Sequence, residues 1–553
     1  MAKEDYRRWL AHPGMPEELR AELVRMSADA QSDAFYRDLA FGTGGLRGEI
    51  GAGTNRMNVY TVSKATRGLG RYLLEAAEQP SCAVSYDSRI HSRDFARLAA
   101  ATLAQLGVRV RLYPQLQPTP MLSYAVRHEH CDAGVMITAS HNPAKFNGYK
   151  VYGSDGCQIT LEVADRILRC MNAEETLVDQ LPDADFDRYL ESGMISYITD
   201  ELIEDYYRDI RHLSVAPCDT PLHVVYSPLN GTGNVPVREM LRRMGNVRVD
   251  VVAEQELPHG CFPTAPYPNP EIREAMRLAI ARCVETGADL CIATDPDCDR
   301  IGAGVRVGDE VTLISGNDMG VLLLDYIAAH TKREPGSLPP VAVKTIVTTE
   351  MAVPICRKYG VELRNVLTGF KFIGEQIALL EKDGQAGRFL FGFEESYGYL
   401  SGTDVRDKDA VNAALLVCEM AAQYKAQGLT LLDRLAQLRQ EHGCYAQRLL
   451  TYQYEGESGA KQMAQIMASL RAPTPAQKAL AQAERIDYLH DATGLPASDV
   501  LSFLLPSGFK VIVRPSGTEP KLKAYLFARG EDQAQAESAL DALEQLMNSA
   551  CMP

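Results

Sequence analysis

The chain has 553 residues, 46% of them hydrophobic, and a formal net charge of -15. That length exceeds one core, so three or four domains are expected, and the acidic balance argues against nucleic acid, whose phosphates need a basic surface. No apolar run of about 18 residues occurs, MAKEDYRRWLAHPG has no leader-like apolar core, and the 13 cysteines form no Cys-x-x-Cys pair; this points to no membrane, no zinc and reduced thiols in a cytoplasmic protein.

Residues 1–40 carry Trp9, Leu19, Leu23 and Met26 at helical spacing, which predicts an amphipathic lead-in packed against the first domain. Strand and helix then alternate. Cys82–Ser85 and Val108–Tyr113 read as strands around the helix Phe95–Leu106; Gly134–Thr138 is a short buried strand, and Leu161–Met171 a helix. The alternation restarts with strand Leu222–Tyr226, helix Val235–Met244, strand Val247–Val252, helix Ile272–Glu285 and strand Leu290–Thr294. A third start gives strand Val341–Val347, helix Met351–Tyr359, loop Thr368–Gly374, strand Arg388–Phe391 and a helical region from Ala410 to about Gln440. After His442, strands Leu449–Tyr454, Gly508–Val513 and Lys521–Phe527 interleave with helices Ala460–Leu470 and Asp532–Met547. The fold class is therefore α/β: three successive related α/β domains with mixed sheets, then a smaller α+β domain. The predicted divisions are 1–40, 41–214, 215–335, 336–442 and 443–553. No clean sequence repeat accompanies them.

Four loops carry chemistry. Thr138-Ala139-Ser140-His141-Asn142-Pro143 places a hydroxyl at the carboxyl end of a strand, where α/β folds put ligands. The Gly-x-Ser-x-Gly elbow of acyl hydrolases is missing, and His141 and Lys150, at the end of an Asn-Gly-Tyr-Lys turn, are the nearby activating groups. Read alone, this segment is equally a capped turn. Asp295-Pro296-Asp297-Cys298-Asp299-Arg300 puts three carboxylates on one side of an extended loop, which suits a hard cation such as Mg2+. An EF-hand fails because Arg300 and Arg306 stand where its glycine and glutamate belong. Arg300 should aim at phosphate oxygens. Glu394-Glu395-Ser396 lies between Gly392 and Gly398 and suits sugar hydroxyls, with Thr368-Gly369-Phe370-Lys371 as a second polar lip. Arg514-Pro515-Ser516-Gly517-Thr518, followed by Lys523, has the composition of an anion nest. Gly42–Gly48 lacks the Lys-Ser/Thr ending of a P-loop, although Arg47 could reach the cleft. Asp87-Ser88-Arg89 fits site support or a helix cap.

With these four loops in this order, the chain resembles the α-D-phosphohexomutase family from about residue 40 onward. The resemblance implies four domains around a central cleft. It implies that Ser140 is phosphorylated in the resting enzyme, that Asp295, Asp297 and Asp299 bind Mg2+ together with the phosphoserine, and that Arg47, His141, Lys150 and Arg300 serve the transferred group. Thr368, Gly369, Lys371, Glu394 and Ser396 would hold the sugar. Arg514, Ser516, Gly517, Thr518 and Lys523 would hold the other phosphate. Glu-Glu-Ser is similar to the glucose-type loop, so the implied activity exchanges glucose 1-phosphate and glucose 6-phosphate, with glucose 1,6-bisphosphate as activator. Pentose or mannose phosphates are the alternative substrates within that mechanism, and a monomer or homodimer is expected. A haloacid-dehalogenase-type site with Asp295 as nucleophile, and a non-catalytic sugar-phosphate sensor, are the rival readings.

Overall fold

The computed structural model describes residues 2–42, 44–332, 336–454, 456–472, 478–515 and 521–551. The lead-in is broken into three helices, Ala2–Ala11, Glu17–Arg25 and Ala28–Phe35. Pro16 opens the second, and the Ser27 side chain caps the third by accepting from the Ala30 N–H. Trp9 meets Phe35 and Tyr60 edge-on, at centroid distances of 5.6 and 5.5 Å. Tyr60 belongs to helix Val59–Ala76, so the lead-in docks on the first α/β unit through a buried aromatic cluster.

Three mixed sheets follow, and they share one internal order. In the first, Ser81–Tyr86 runs parallel to Arg109–Leu112 and Ala133–Ile137, and Phe146–Gly153 returns antiparallel beside Ala133–Ile137. In the second, Leu222–Ser227 pairs in parallel with Val247–Val251 and Leu290–Thr294, and Ile301–Val307 returns antiparallel. In the third, Val341–Thr345 pairs in parallel with Glu362–Val366 and Phe389–Glu394, and Gly398–Leu400 returns antiparallel. Strands Ala133–Ile137, Leu290–Thr294 and Phe389–Glu394 are buried along their whole length. Helices cover both faces of such sheets, so the strands read as continuous apolar runs without alternation. Each of the three functional loops is thus the reversal between the last parallel strand and its antiparallel neighbour. The repeat absent from the sequence is present in the topology.

Several elements escaped sequence periodicity. Helix Gly316–His330 is buried almost all round and shows no polar stripe. Helix Val59–Ala76 contains Gly68, where an added Cβ would stand 2.7 Å from the Met171 Cβ; its glycine content reflects close helix contact. The loop predicted over Thr368–Gly374 is shorter, because a helix begins at Lys371.

The fourth sheet is antiparallel, ordered Cys444–Gln453, Lys521–Gly530, Lys510–Pro515, Leu501–Leu504, Glu484–Asp487. It keeps its own core around Leu501, Val511, Leu526 and Leu540. A single large cluster, by contrast, runs from Ala83 through Leu290 and Phe391 to Leu438 and unites the first three units. A smaller patch that includes Ile346, Val347, Ile512 and Phe527 joins the fourth sheet to the third.

Candidate active site

Each reversal contains a non-glycine residue in left-handed conformation: Ser140 (φ 51°), Cys298 (φ 52°) and Tyr397 (φ 63°). Such residues persist only where their surroundings over-determine them. At the serine turn the Ser140 N–H donates to Thr138 Oγ1 at 2.8 Å. A Cβ at Gly148 would stand 2.5 Å from the Thr138 carbonyl oxygen, so the returning strand can approach only with glycine there. The turn aims Ser140 Oγ into the second unit, where it donates to Asp295 Oδ2 at 2.8 Å; His141 Nδ1 lies 3.2 Å from Ser140 Oγ.

Asp295, Asp297 and Asp299 are buried, and their carboxylate oxygens lie within 4.8 Å of one another. They do not converge by period-two alternation along an extended loop. A tight turn, closed by the Cys298 N–H on the Asp295 carbonyl at 2.9 Å, folds them together. The N–H groups of Asp299 and Arg300 donate to Asp295 Oδ1 at 3.2 and 3.0 Å. From the first unit, Thr119 Oγ1 donates to Asp297 Oδ2 at 2.9 Å. The 227–233 loop supports the turn from below: Thr232 N–H donates to the Pro296 carbonyl at 2.8 Å, and a Cβ at Gly231 would stand 2.5 Å from Pro296 Cα.

Two lysines compensate this charge. Lys150 Nζ lies 2.7 Å from Asp297 Oδ2 and 3.5 Å from Asp299 Oδ2. Lys150 sits within strand Phe146–Gly153, not at the end of a turn. Lys408, from the third unit, reaches Asp299 at 3.3 Å and Asp407 at 3.0 Å. Burial works against ionisation of Asp297, but the Lys150 ammonium overrides it and holds that carboxyl below the ordinary range. Asp295 is pushed up, first by burial and then by its two aspartate neighbours. Asp297 Oδ1 and Asp299 Oδ1 are buried with no hydrogen-bond partner among the described residues. An oxygen-only cluster with such orphaned acceptors fits a hard cation.

His141 is pushed down to about 2 by burial, with Arg300 and Arg47 adding repulsion; it is therefore neutral at physiological pH and a weak base. Arg47, on strand Gly45–Glu49, donates to Asn142 Oδ1 at 3.4 Å at the edge of the serine turn. Arg300 lines the cleft, but its guanidinium is engaged by Glu271 at 3.0 Å, with Asp299 at 3.8 Å, where phosphate oxygens were expected. The metal turn and the third unit's turn touch directly, the Ile301 N–H donating to the Tyr397 carbonyl at 3.2 Å.

A cleft of about 610 Å³ opens at this junction, and its walls include His141, Arg300, Thr368, Ser396, Arg514 and Lys523. One expected site residue from each of the first two units, and two each from the third and fourth, thereby face one cavity. Glu394 is buried at the end of its strand, whereas the adjacent Glu395 lines the cleft. Gly369, in left-handed conformation, precedes Lys371, whose ammonium lies 5.3 Å over the Phe372 ring; neither lines the cleft. Ser516, Gly517 and Thr518 lie outside the described residues. A slightly larger cavity, about 680 Å³, lies between the third and fourth sheets and contains none of the four motifs.

Sequence reasoning missed Lys408, Thr119 and Glu271, and left Arg89 undecided. The available signal for Lys408 was the run Arg406-Asp407-Lys408-Asp409 immediately before a helix as apolar as Ala410–Ala426. Four charges at the mouth of a buried helix need partners inside the protein.

The chain matches the phosphoglucomutase/phosphomannomutase models for α/β/α domain I over residues 38–178, domain II over 204–308 and domain III over 315–440. It is 36% identical over 531 residues to a phosphoglucomutase of Staphylococcus aureus (strain USA300), covering 92% of this chain and 94% of that one. It is 34% identical over 514 residues to a Staphylococcus epidermidis phosphoglucomutase, covering 90% and 92%. Among solved structures, pp63/parafusin of Paramecium shares the fold with a TM-score of 0.72 at 18% identity, covering 93% of this chain and 95% of that one. A phosphoglucomutase/phosphomannomutase family protein of Burkholderia thailandensis matches with a TM-score of 0.67 at 18% identity, covering 92% and 97%. This chain belongs to the phosphoglucomutase/phosphomannomutase family, and it is an enzyme of the phosphohexomutase class.

Proposed function

We propose that this enzyme is an α-phosphoglucomutase that exchanges glucose 1-phosphate and glucose 6-phosphate through a phosphoserine at Ser140. The observation that carries the reading is the Ser140 hydroxyl, 2.8 Å from Asp295 within the buried aspartate cluster and next in the chain to His141, which lines a cleft walled by all four units. The names of its relatives support glucose as the sugar.

In this reading, the free hydroxyl of the bound sugar monophosphate takes the phosphoryl group of phosphoserine 140 as the P–Oγ bond breaks, and its proton ends on Ser140 Oγ, which yields the 1,6-bisphosphate. The bisphosphate turns end over end and returns its other phosphate to Ser140. On that return the serine proton ends on the sugar oxygen that gives up its phosphate, and His141 Nδ1, 3.2 Å from Ser140 Oγ, is placed to hydrogen-bond it on the way. Lys150 and Lys408 balance the carboxylates, and Arg47 and Arg300 face the charge that develops on the transferring group. Asp295, Asp297 and Asp299 would hold Mg2+, which when bound supplies electrostatic stabilisation of that charge. Ser396 and Thr368 would take sugar hydroxyls, with Glu394, Gly369 and Lys371 behind them. Arg514 and Lys523, with Ser516, Gly517 and Thr518, would take the idle phosphate. Glucose 1,6-bisphosphate activates by phosphorylating Ser140 whenever its phosphate is lost. Division of the chain at 40, 214, 335 and 442 is supported by one sheet falling within each of the last four segments. Work in the cytoplasm is supported by 13 free thiols, and the protein works as a monomer or a homodimer in this reading.

The test is a coupled assay on glucose 1-phosphate with Mg2+ and a trace of glucose 1,6-bisphosphate, run beside mannose 1-phosphate and ribose 1-phosphate. Wild type should turn over the glucose substrate fastest, and Ser140→Ala should not turn over at all. Faster turnover of ribose or mannose phosphate would keep the chemistry and change the substrate. Activity surviving Ser140→Ala would overturn the phosphoserine and point to Asp295.

A further inference from the structure

We propose that Arg89, held by Asp87, is the positioning residue of the serine loop: it fixes the backbone from Ser140 to Phe146 so that the serine hydroxyl points at the aspartate cluster. The inference rests on the phosphoserine reading of Ser140. The Arg89 and Asp87 side chains are both fully enclosed and pair through Nε and Oδ2 at 3.2 Å. The guanidinium donates to four backbone carbonyls of one loop. Nη2 reaches the oxygens of Ser140 and Asn142 at 2.5 Å each, and Nη1 those of Pro143 and Phe146 at 3.0 Å each. A planar fork with five donors can satisfy such a ring of acceptors, which the three donors of an ammonium cannot.

Asp87 ties the other side of the same turn. Its Oδ2 accepts from Thr138 Oγ1 at 2.6 Å, and that hydroxyl in turn accepts from the Ser140 N–H at 2.8 Å. Its Oδ1 accepts from Ser92 Oγ at 2.7 Å and from the Arg89 N–H at 2.9 Å. Ser140, in left-handed conformation at φ 51°, is therefore bound at both its N–H and its carbonyl through one buried ion pair. A buried pair of this kind does little for overall stability compared with apolar packing. What it does fix is the conformation of a strained nucleophile.

The second unit grips the same element. The Phe262 ring lies 5.0 Å from Arg89 Cζ, and a Cβ at Gly260 would stand 2.6 Å from the Ile90 nitrogen. The unit that carries the aspartates thus also braces the residue that sets the serine loop. Arg89 holds the two reacting loops in register without touching the reacting atoms.

The test compares wild type, Arg89→Lys and Thr138→Val on glucose 1-phosphate with Mg2+ and a trace of bisphosphate. It measures kcat and KM separately, the phosphorylated fraction of Ser140 by intact mass, and Tm. A misplacement of about 1 Å costs about 100-fold in rate, so kcat should fall by about 30- to 100-fold in both variants. KM should stay within about twofold, because the sugar and the idle phosphate contact other units. Rephosphorylation of Ser140 by the bisphosphate should slow in parallel with kcat. A folded Arg89→Lys and Thr138→Val with kcat within about threefold of wild type would overturn the inference, as would a loss carried by KM alone. If Arg89→Lys does not fold, Asp87→Asn decides by the same criteria, since it keeps the side-chain shape while loosening the hold on Arg89. A wild type that never carries phosphate on Ser140 overturns the phosphoserine reading itself, and is recognised before any variant is compared.

Discussion

The serine turn of the first unit and the Glu395 turn of the third occupy the same place in the same topology, yet they are held by different means. Around Ser140 and the aspartates, buried charges are met by fixed cations: Arg89 on the loop backbone, Lys150 and Lys408 on the carboxylates. Ser140 is only 4% exposed. Around Glu395 the partners are neutral hydroxyls, Thr345 and Thr348, each at 3.3 Å. Among the described residues no cation forms an ion pair with it, and that carboxyl is pushed up to about 7, first by burial and then by Glu394. Ser396, next in the chain, stays half-buried and lines the cleft. A doubly charged phosphoryl group needs a centre whose countercharges do not move. A sugar needs donors and acceptors that can exchange with its hydroxyls, and a rigid ionic frame would compete with them.

Four measurements sharpen or break this contrast, beginning with the largest effect. Asp297→Asn should lower turnover by about 10³-fold or more, as loss of a charged group at the reacting centre does. The metal can also be read without turnover: Mg2+ at about 100 times its Kd should stabilise the wild type by about 2.7 kcal/mol and the variant by much less. Equal shifts in Tm for the two would dissociate the aspartates from the cation. Lys150→Met removes one partner of a buried pair and should cost about 3–5 kcal/mol of stability, seen in denaturant melts. A near-neutral result would mean that the carboxylates are balanced elsewhere.

On the third unit's turn, Glu395 has a folded-state pKa above its unfolded value of 4.5, so its neutral form contributes to stability. That contribution is fully present below about pH 4.5 and lost as pH rises through about 7, a change of about 3 kcal/mol. Glu395→Gln should flatten this stretch of the Tm–pH curve and raise Tm at pH 8; an unchanged curve would place the titration elsewhere. Smallest of all, Ser396→Ala should raise KM for glucose 1-phosphate about 5- to 10-fold with kcat nearly unchanged, the value of one hydroxyl contact. A collapse of kcat instead would assign Ser396 to the reacting centre and erase the distinction between the two turns.

The family, the four loops and their chain order were legible because each loop places unusual residues at the end of an unmistakable apolar strand. Ser140 after Ala133–Ile137 and Asp295 after Leu290–Thr294 are of this kind. Helix Gly316–His330, which sequence periodicity failed to show, is apolar nearly all round because it is buried on most sides. No stripe was there to read.

The sequence by itself marked out the candidate serine, the three carboxylates and the three-plus-one alternation, because those follow from local composition and period. Only the tertiary structure decided how the charges are balanced. Lys408 lies more than a hundred residues from Asp299 and Arg89 some fifty from Ser140, and nothing local says which residue either would meet. Tertiary structure also turned the supposed extended aspartate loop into a tight turn and placed Lys150 inside a strand. Buried charges are expensive to leave unpaired, so their partners are chosen by which strands end beside one another in space.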